Sequence, residues 1–334
     1  MNILSHSFAK TLYFILLSIG IFSCTNAQKA DGNTEEYMTQ VATFFNNQNY
    51  DSALYYSNKT IEIDANHEKA WEVKARCLYF LNQETEAMKA FDKALELNSQ
   101  NNDLRMFRGT AYRLSGKHEK ALLDFDFVLQ VEPNNTRALA QKANIHYHIK
   151  QYEESIITYD KLFKLGLSQF EKLLNLNGRA KVYMDIQKYD LAEKDIDNAL
   201  NLGIEKGITL ETKTRLLEKK GNYQEALELA KQNLELAQNH KNIELRKELV
   251  PYSHNNIGYL KHKVGNTEEG IKDIMYSLEL MPTNSYAYKN LALISFDLGK
   301  KEQGCQYIEK ALELGFTKLF GTEVEELKLE KCIN

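Results

Sequence analysis

One short pattern recurs eight times in the chain, and its spacing leaves few folds open. Starting from a turn each time, the sequence reads NYDSALYYSNKTIEI, ETEAMKAFDKALEL, KHEKALLDFDFVLQV, QYEESIITYDKLFKL, KYDLAEKDIDNALNL, NYQEALELAKQNLEL, NTEEGIKDIMYSLEL and KKEQGCQYIEKALEL. One small residue holds the same place in all eight: Ala53, Ala87, Ala121, Ser155, Ala192, Ala226, Gly270 and Gly304. The steps between them are 34, 34, 34, 37, 34, 44 and 34 residues. A fixed period of this size marks a stack of supersecondary units, none of which buries its apolar face alone.

A second column lies twelve residues before the first: Val41, Ala75, Gly109, Ala143, Ala180, Thr214, Gly258 and Ala292. An apolar column lies eight residues after the first: Ile61, Leu95, Leu129, Phe163, Leu200, Leu234, Leu278 and Leu312. Between turns, apolar residues fall at helical spacing on two segments of each unit. Three prolines and sixteen glycines in 334 residues put little in the way of helix. Each unit therefore reads as a helix hairpin whose axes approach at the small columns. Gly116, Gly221, Gly265 and Gly299 mark hairpin turns. Asp51, Glu119, Glu153, Asp190, Glu225 and Glu268 fall in the first turn of the second helix, where the helix dipole favours negative charge. Pro133 and Pro282 end two units. Across the 44-residue step, the pattern predicts one longer helix from about Gln224 to Glu248, stopping before Pro251.

These marks resemble the tetratricopeptide repeat family. Gly109, Tyr112, Gly116, Ala121, Phe125 and Pro133 occupy its signature places in the third unit. Trp71, Ala87, Phe91 and Ala94 do so in the second. The resemblance implies an all-α fold, a right-handed α-solenoid of about eight hairpins over residues 34–318. Residues 319–334 read as a C-terminal capping helix. The family's usual Leu before the second small column is replaced by Lys74, Arg108, Lys142, Arg179 and Lys213. Their stems are expected to cover apolar surface while the charge reaches water. Carried over by position, the family's concave groove would present Arg76, Tyr79, Phe107, Thr110, Arg113, Asn144, Tyr147, Asn177 and Lys181. Further along it would present Arg215, Asn255, Tyr259, Lys289 and Asn290. Such side chains suit an extended peptide or a protein partner. The family's chaperone-binding carboxylate clamp has no matching triplet of Lys, Asn and Arg.

The N-terminus has a different character. KTLYFILLSIGIFSC runs from Lys10 through an apolar stretch, too short to span a bilayer comfortably, to Cys24. Ile21, Ser23 and Cys24 resemble a bacterial lipobox, which implies a signal peptide over 1–23 and lipidation of Cys24. Ordinary cleavage after Ala27 and an uncleaved anchor are the alternatives. Residues 24–33 read as a polar tether. The expected location is the bacterial cell envelope, lipid-anchored, with a secreted or periplasmic soluble form as the alternative.

No catalytic residue, metal site or cofactor is expected. GTAYRLSGKH, Gly109 to His118, has the glycines and lysine of a phosphate loop, but six residues separate the glycines and a helix precedes them. His146 and His148 lie two apart on a helix, so they face apart, and His146 reads as a core residue. A net charge of −4 gives no footprint for nucleic acid. Cys77 reads as a small packed residue. Cys305 and Cys332 flank the last helix and the cap, either as a disulfide staple in an oxidising compartment or as two buried thiols. Two functions fit: a non-catalytic scaffold binding a partner protein or peptide, or a glycan- or small-ligand-binding lipoprotein.

Overall fold

The structure, a computed structural model, describes residues 32–317 and 322–333. The stretch read as a signal peptide, and Cys24, lie outside the described residues. Sixteen of the described helices pair into eight hairpins, numbered here in chain order. The first helices are α1 (Gly32–Asn46), α3 (Glu68–Phe80), α5 (Asn102–Leu114), α7 (Thr136–His148), α9 (Gln169–Asp185), α11 (Lys206–Lys219), α13 (Ile243–Lys263) and α15 (Ser285–Asp297). The second helices are α2 (Tyr50–Ile63), α4 (Glu84–Leu97), α6 (His118–Val131), α8 (Tyr152–Phe163), α10 (Tyr189–Asn201), α12 (Tyr223–Gln238), α14 (Thr267–Leu280) and α16 (Lys301–Glu313). Helix α1 begins two residues inside the stretch read as tether. Two compact units divide the chain within α7, one ending at Gln141 and the other beginning at Lys142. This is an all-helical solenoid of successive hairpins.

Each hairpin turns by one device. The backbone N–H of Lys117 reaches back to the carbonyl of Tyr112 at 2.8 Å, closing the last turn of α5. Asn49, Gln83, Gln151, Lys188, Asn222, Asn266 and Lys300 make the equivalent bond in the other seven hairpins. The bond requires a left-handed residue just before it. Gly116 fills that place in the third hairpin with φ of 73°. Four hairpins place Gln48, Asn82, Lys150 and Gln187 there instead, at φ of 59°, 60°, 61° and 59°. The glycine pattern therefore reveals only half of the turns.

The small columns are where helices touch. The Ser155 hydroxyl donates to the carbonyl of Ala143 at 2.8 Å. A Cβ added to Gly258 would stand 2.5 Å from the carbonyl oxygen of Gly270, so α13 and α14 pack backbone to backbone. Phe91 and Phe125, both 0% exposed, fill the space behind the columns. Each stabilises the fold by roughly 1.5–3 kcal/mol through burial.

The basic column behaves differently from the expectation at two places. The Arg108 guanidinium donates to both carboxylate oxygens of Asp124, at 2.9 and 2.6 Å, and to Asp92 at 2.6 Å. Arg179 repeats this with Asp195, at 2.8 and 2.8 Å, and with Asp160. Asp124 and Asp195 are buried. The charges therefore turn inward, because a desolvated carboxylate requires a bidentate partner.

The 44-residue step also departs from the single long helix. Helix α12 stops at Gln238, and Asn242 caps a new helix by accepting from the N–H groups of Glu244 and Leu245. The extra residues go into α13, whose interior contains Pro251. Asn242 supplies a better start signal than the proline supplies a stop, and tertiary packing holds the proline inside. His146 is half-buried, with Nδ1 2.7 Å from the Gln151 side-chain oxygen. It ties its own hairpin turn rather than filling the core. Cys77 is a buried free thiol whose pKa burial and Asp51 push up to about 12.

A short helix, α17 (Glu323–Lys328), ends the second unit and continues into a π-helical turn, Leu329–Ile333. Val324 is fully buried in a cluster with Ala292, Ile308, Ala311 and Phe316. A disulfide joins Cys305 of α16 to Cys332, 27 residues on, with Cα atoms 5.7 Å apart. Closing a loop of that length stabilises the fold by roughly 3–4 kcal/mol in the chain-entropy picture.

Candidate interaction face

In the first unit, the expected groove residues mostly pack on one another. Arg76 bonds Glu72 at 2.8 Å and lies 5.3 Å from the Phe107 ring centre. Tyr79 meets Phe107 edge-on at 5.4 Å, and Phe80 and Phe91 close on the same ring at 5.8 and 5.5 Å. Phe107 is 1% exposed, so it belongs to the core and offers no surface to a partner. The Thr110 hydroxyl is taken by the carbonyl of Met106 at 2.8 Å. Burial lowers the Arg113 pKa, against the pull of the nearby Tyr79 phenol.

The second unit places charge where the first places rings. The Tyr147 phenol donates to Asp185 at 2.7 Å. Asp185 stands 3.7 Å from Arg215 and 3.5 Å from Lys219. Lys181, Glu211 and Glu218 share the electrostatic field of Arg215. Lys289 of α15 bonds Glu323 of α17 at 2.7 Å, and Glu323 also lies within the field of Arg215. Lys150, at the turn after α7, bonds Glu326 of α17 at 2.8 Å.

The electrostatics follow from this crowding. Burial raises the Tyr147 pKa far above its ordinary value, and Asp185 adds to the shift. Burial lowers Lys181 and raises Glu218. For Arg215 burial acts downward, but Tyr147, Tyr286, Asp185 and Glu323 outweigh it and the pKa rises. Burial likewise opposes charge at Lys289 and Glu323, yet Tyr286 and Glu323 raise Lys289, and Lys289 lowers Glu323. The Arg215 side chain is still 27% exposed, so water reaches this face.

Not every expected residue belongs to it. Asn177 is 2% exposed and donates to the Leu173 carbonyl and to Thr209 of α11. Asn255 is fully buried and accepts from Asn290 at 3.0 Å. These three amides tie neighbouring first helices together. Asn144 accepts from the buried Tyr159 hydroxyl at 3.1 Å. Tyr259 is half-buried beneath Lys263, whose ammonium lies 5.4 Å from the ring centre.

Asp185, Lys219, Glu211 and Glu218 were missed by position counting. A signal for three of them was present. Lys181 and Arg215 are 34 residues apart, and Asp185 and Lys219 follow each by four, one helical turn along the same face. Glu211 precedes Arg215 by the same interval. Nothing local pointed to Glu323 or Glu326.

A cavity of about 580 Å³ lies between α11, α12 and α13, where the long step opens the stack. Its walls include Ile208, Leu236, Tyr252, Asn233 and Asn256. Burial, then Glu248 and Glu211, push the Tyr252 pKa up to about 12. Among the described residues, no group of three or more His, Cys, Asp or Glu could hold a metal ion. No described helix is long and apolar enough to cross a membrane.

Comparison with known proteins bears on the repeats and the fold. Residues 68–101 and 285–314 match the tetratricopeptide repeat family. The chain is 29% identical over 201 residues to a TPR repeat-containing protein of Methanocaldococcus jannaschii, an alignment covering 57% of this chain and 34% of that protein. The chain thus spans about a third of that curated relative's length. In fold it is similar to yeast Tom70, with a TM-score of 0.63 at 14% identity, over 99% of this chain and 73% of that one. It is also similar to a tetratricopeptide repeat protein from Parabacteroides merdae, with a TM-score of 0.58 at 17% identity, over 90% of this chain and all of that one. The chain therefore carries tetratricopeptide repeats within an all-helical solenoid.

Proposed function

We propose that the protein is a non-catalytic interaction scaffold of the bacterial cell envelope, anchored by a lipid on Cys24, which holds a partner protein or peptide. The observation that carries the reading is the water-accessible charged face built by Tyr147, Asp185, Arg215 and Lys219. Three successive first helices supply it, Asp185 and Lys219 at the same place in their repeats, which suits recognition of an elongated partner. The lipobox-like Ile21–Cys24 stretch supports the anchor.

A photo-crosslinking residue at Lys219 is expected to capture a partner from native envelope, whereas one at the exposed Leu191 of α10 is not. Equal capture at both positions would reject the face as the site. A palmitate analogue is expected to label the wild-type protein and not Cys24→Ala. Labelling of both would reject the anchor.

The cavity beside Tyr252 favours a second reading, a glycan- or small-ligand-binding lipoprotein. Its volume falls within the range of small-ligand sites. Titration calorimetry with oligosaccharides checks it: binding that Tyr252→Ala abolishes supports this reading, and no heat with any sugar rejects it.

A further inference from the structure

The charged face of the second unit is already in contact with a segment of its own chain. Among the described residues, five cations meet there: Lys150, Lys181, Arg215, Lys219 and Lys289. The hairpin helices supply three carboxylates to the same cluster, Asp185, Glu211 and Glu218. Five minus three leaves an excess of two positive charges. The cap helix α17 supplies two more carboxylates, Glu323 to Lys289 and Glu326 to Lys150. The cap therefore completes the charge balance of a surface that lies far from it in sequence, 176 residues in the case of Lys150 and Glu326.

The cap's backbone and its two carboxylates are held very differently. Val324 is fully buried and the Cys305–Cys332 disulfide ties the segment to α16, so the helix stays in place. Glu323 and Glu326 are each 58% exposed, and Lys150 is 60% exposed. Lys289 is only 8% exposed, so its pair opens to water through Glu323 alone. The Lys150–Glu326 pair is open on both sides, and a pair so open is weak and exchanges readily. A carboxylate from another chain can take Lys150 directly, and can reach Lys289 by replacing the exposed carboxylate of Glu323, without unseating the cap.

We propose that this face binds an acidic segment of a partner, and that Glu323 and Glu326 act as a built-in competitor for its cations. The inference rests on the interaction-face reading above and adds the chemistry of the partner. An apolar partner would bury these charges without hydrogen-bonding them, and a basic one would add positive charge to cations that only the cap carboxylates balance. An acidic segment substitutes for the two cap carboxylates and keeps the balance. The competition sets a threshold, since a single carboxylate gains little over the resident one while a run of them displaces both.

The test uses the full chain in its oxidised form. The probe is a fluorescein-labelled peptide of alternating Glu and Ala, with alternating Gln and Ala as its neutral control, read by anisotropy at low salt. The acidic peptide is expected to bind and the neutral one not to. The double variant Glu323→Gln, Glu326→Gln should bind the acidic peptide about tenfold more tightly, as expected for removing two weak competing pairs. Lys289→Gln should weaken it by a similar factor. Because Lys289 is largely buried, Lys150→Glu at the exposed turn serves as the second variant, and it should weaken binding with unchanged circular dichroism. Equal binding of the two peptides, or no gain from the glutamine pair, overturns the proposal. Photo-crosslinking at Lys219 in the same double variant separates the two readings. Partner capture without acidic-peptide binding leaves the scaffold standing and rejects the acidic partner, whereas loss of capture together with peptide binding rejects the scaffold alone.

Discussion

The two units build the same hairpin and put different chemistry on the face of their first helices. In residues 32–141, Arg76, Tyr79 and Phe107 lie against one another, and Phe107 ends in the core. In residues 142–333, the corresponding face carries Tyr147, Asp185 and Arg215 in a chain of polar contacts that water reaches, with Lys289 paired to Glu323 in the field of Arg215. What the units share lies behind the face. Arg108 with Asp124 and Arg179 with Asp195 are near copies, each a bidentate pair around a buried carboxylate. The repeat thus fixes the interior and leaves the face to vary, and a difference in function between the units has to be sought on the face.

Breaking the shared part should hurt both units alike. Arg108→Met leaves the buried Asp124 only Arg105, 3.7 Å away, whereas Arg179→Met strands the buried Asp195. The second is expected to cost about 3–5 kcal/mol and the first nearly as much. Urea unfolding followed by segment-resolved hydrogen exchange would measure it. Adding Asp124→Leu to the first or Asp195→Leu to the second should recover most of the loss, since an apolar pair needs no counter-charge. If one unit tolerates its arginine loss while the other does not, the two interiors are not equivalent.

A second pair of substitutions sharpens the contrast between the faces. Phe107→Ala should cost the first unit about 3–4 kcal/mol, because the ring is buried among Tyr79, Phe80 and Phe91. Tyr147→Phe removes one hydroxyl from the second unit and should cost about 1.5–3 kcal/mol, the worth of a hydrogen bond to a charged acceptor. Equal losses in thermal unfolding would mean that the charged face is as structural as the aromatic one.

The smallest effect concerns the turns, which recur in both units. Gln48→Gly and Gln187→Gly place glycine at left-handed positions now held by residues with a Cβ. Each should stabilise its hairpin by about 0.5–1 kcal/mol after allowing for glycine's greater freedom in the unfolded chain. A loss of stability in either would show that the glutamine side chain contributes more than its backbone costs.

Much of this was legible in the sequence, for a physical reason. A 34-residue period fixes where helices start, turn and touch, so the columns of Ala53 and Ala75 could be assigned without coordinates. The left-handed places at Gln48 and Lys150 were hidden because only glycine advertises such a conformation. The break near Asn242 was hidden because Pro251 looked like a stop, although a proline can sit inside a helix that packing supports.

The sequence by itself determined the number of hairpins, their register and the small contacts between them, because these are local and periodic. Tertiary structure alone decided which charges meet. Arg108 and Asp124 lie 16 residues apart on separate helices, and each looks solvated until the hairpin closes. Lys150 and Glu326 lie 176 residues apart, and no pattern of spacing foretells their contact. A charge finds its partner through the accumulated packing of every intervening hairpin, and the period carries no record of that path.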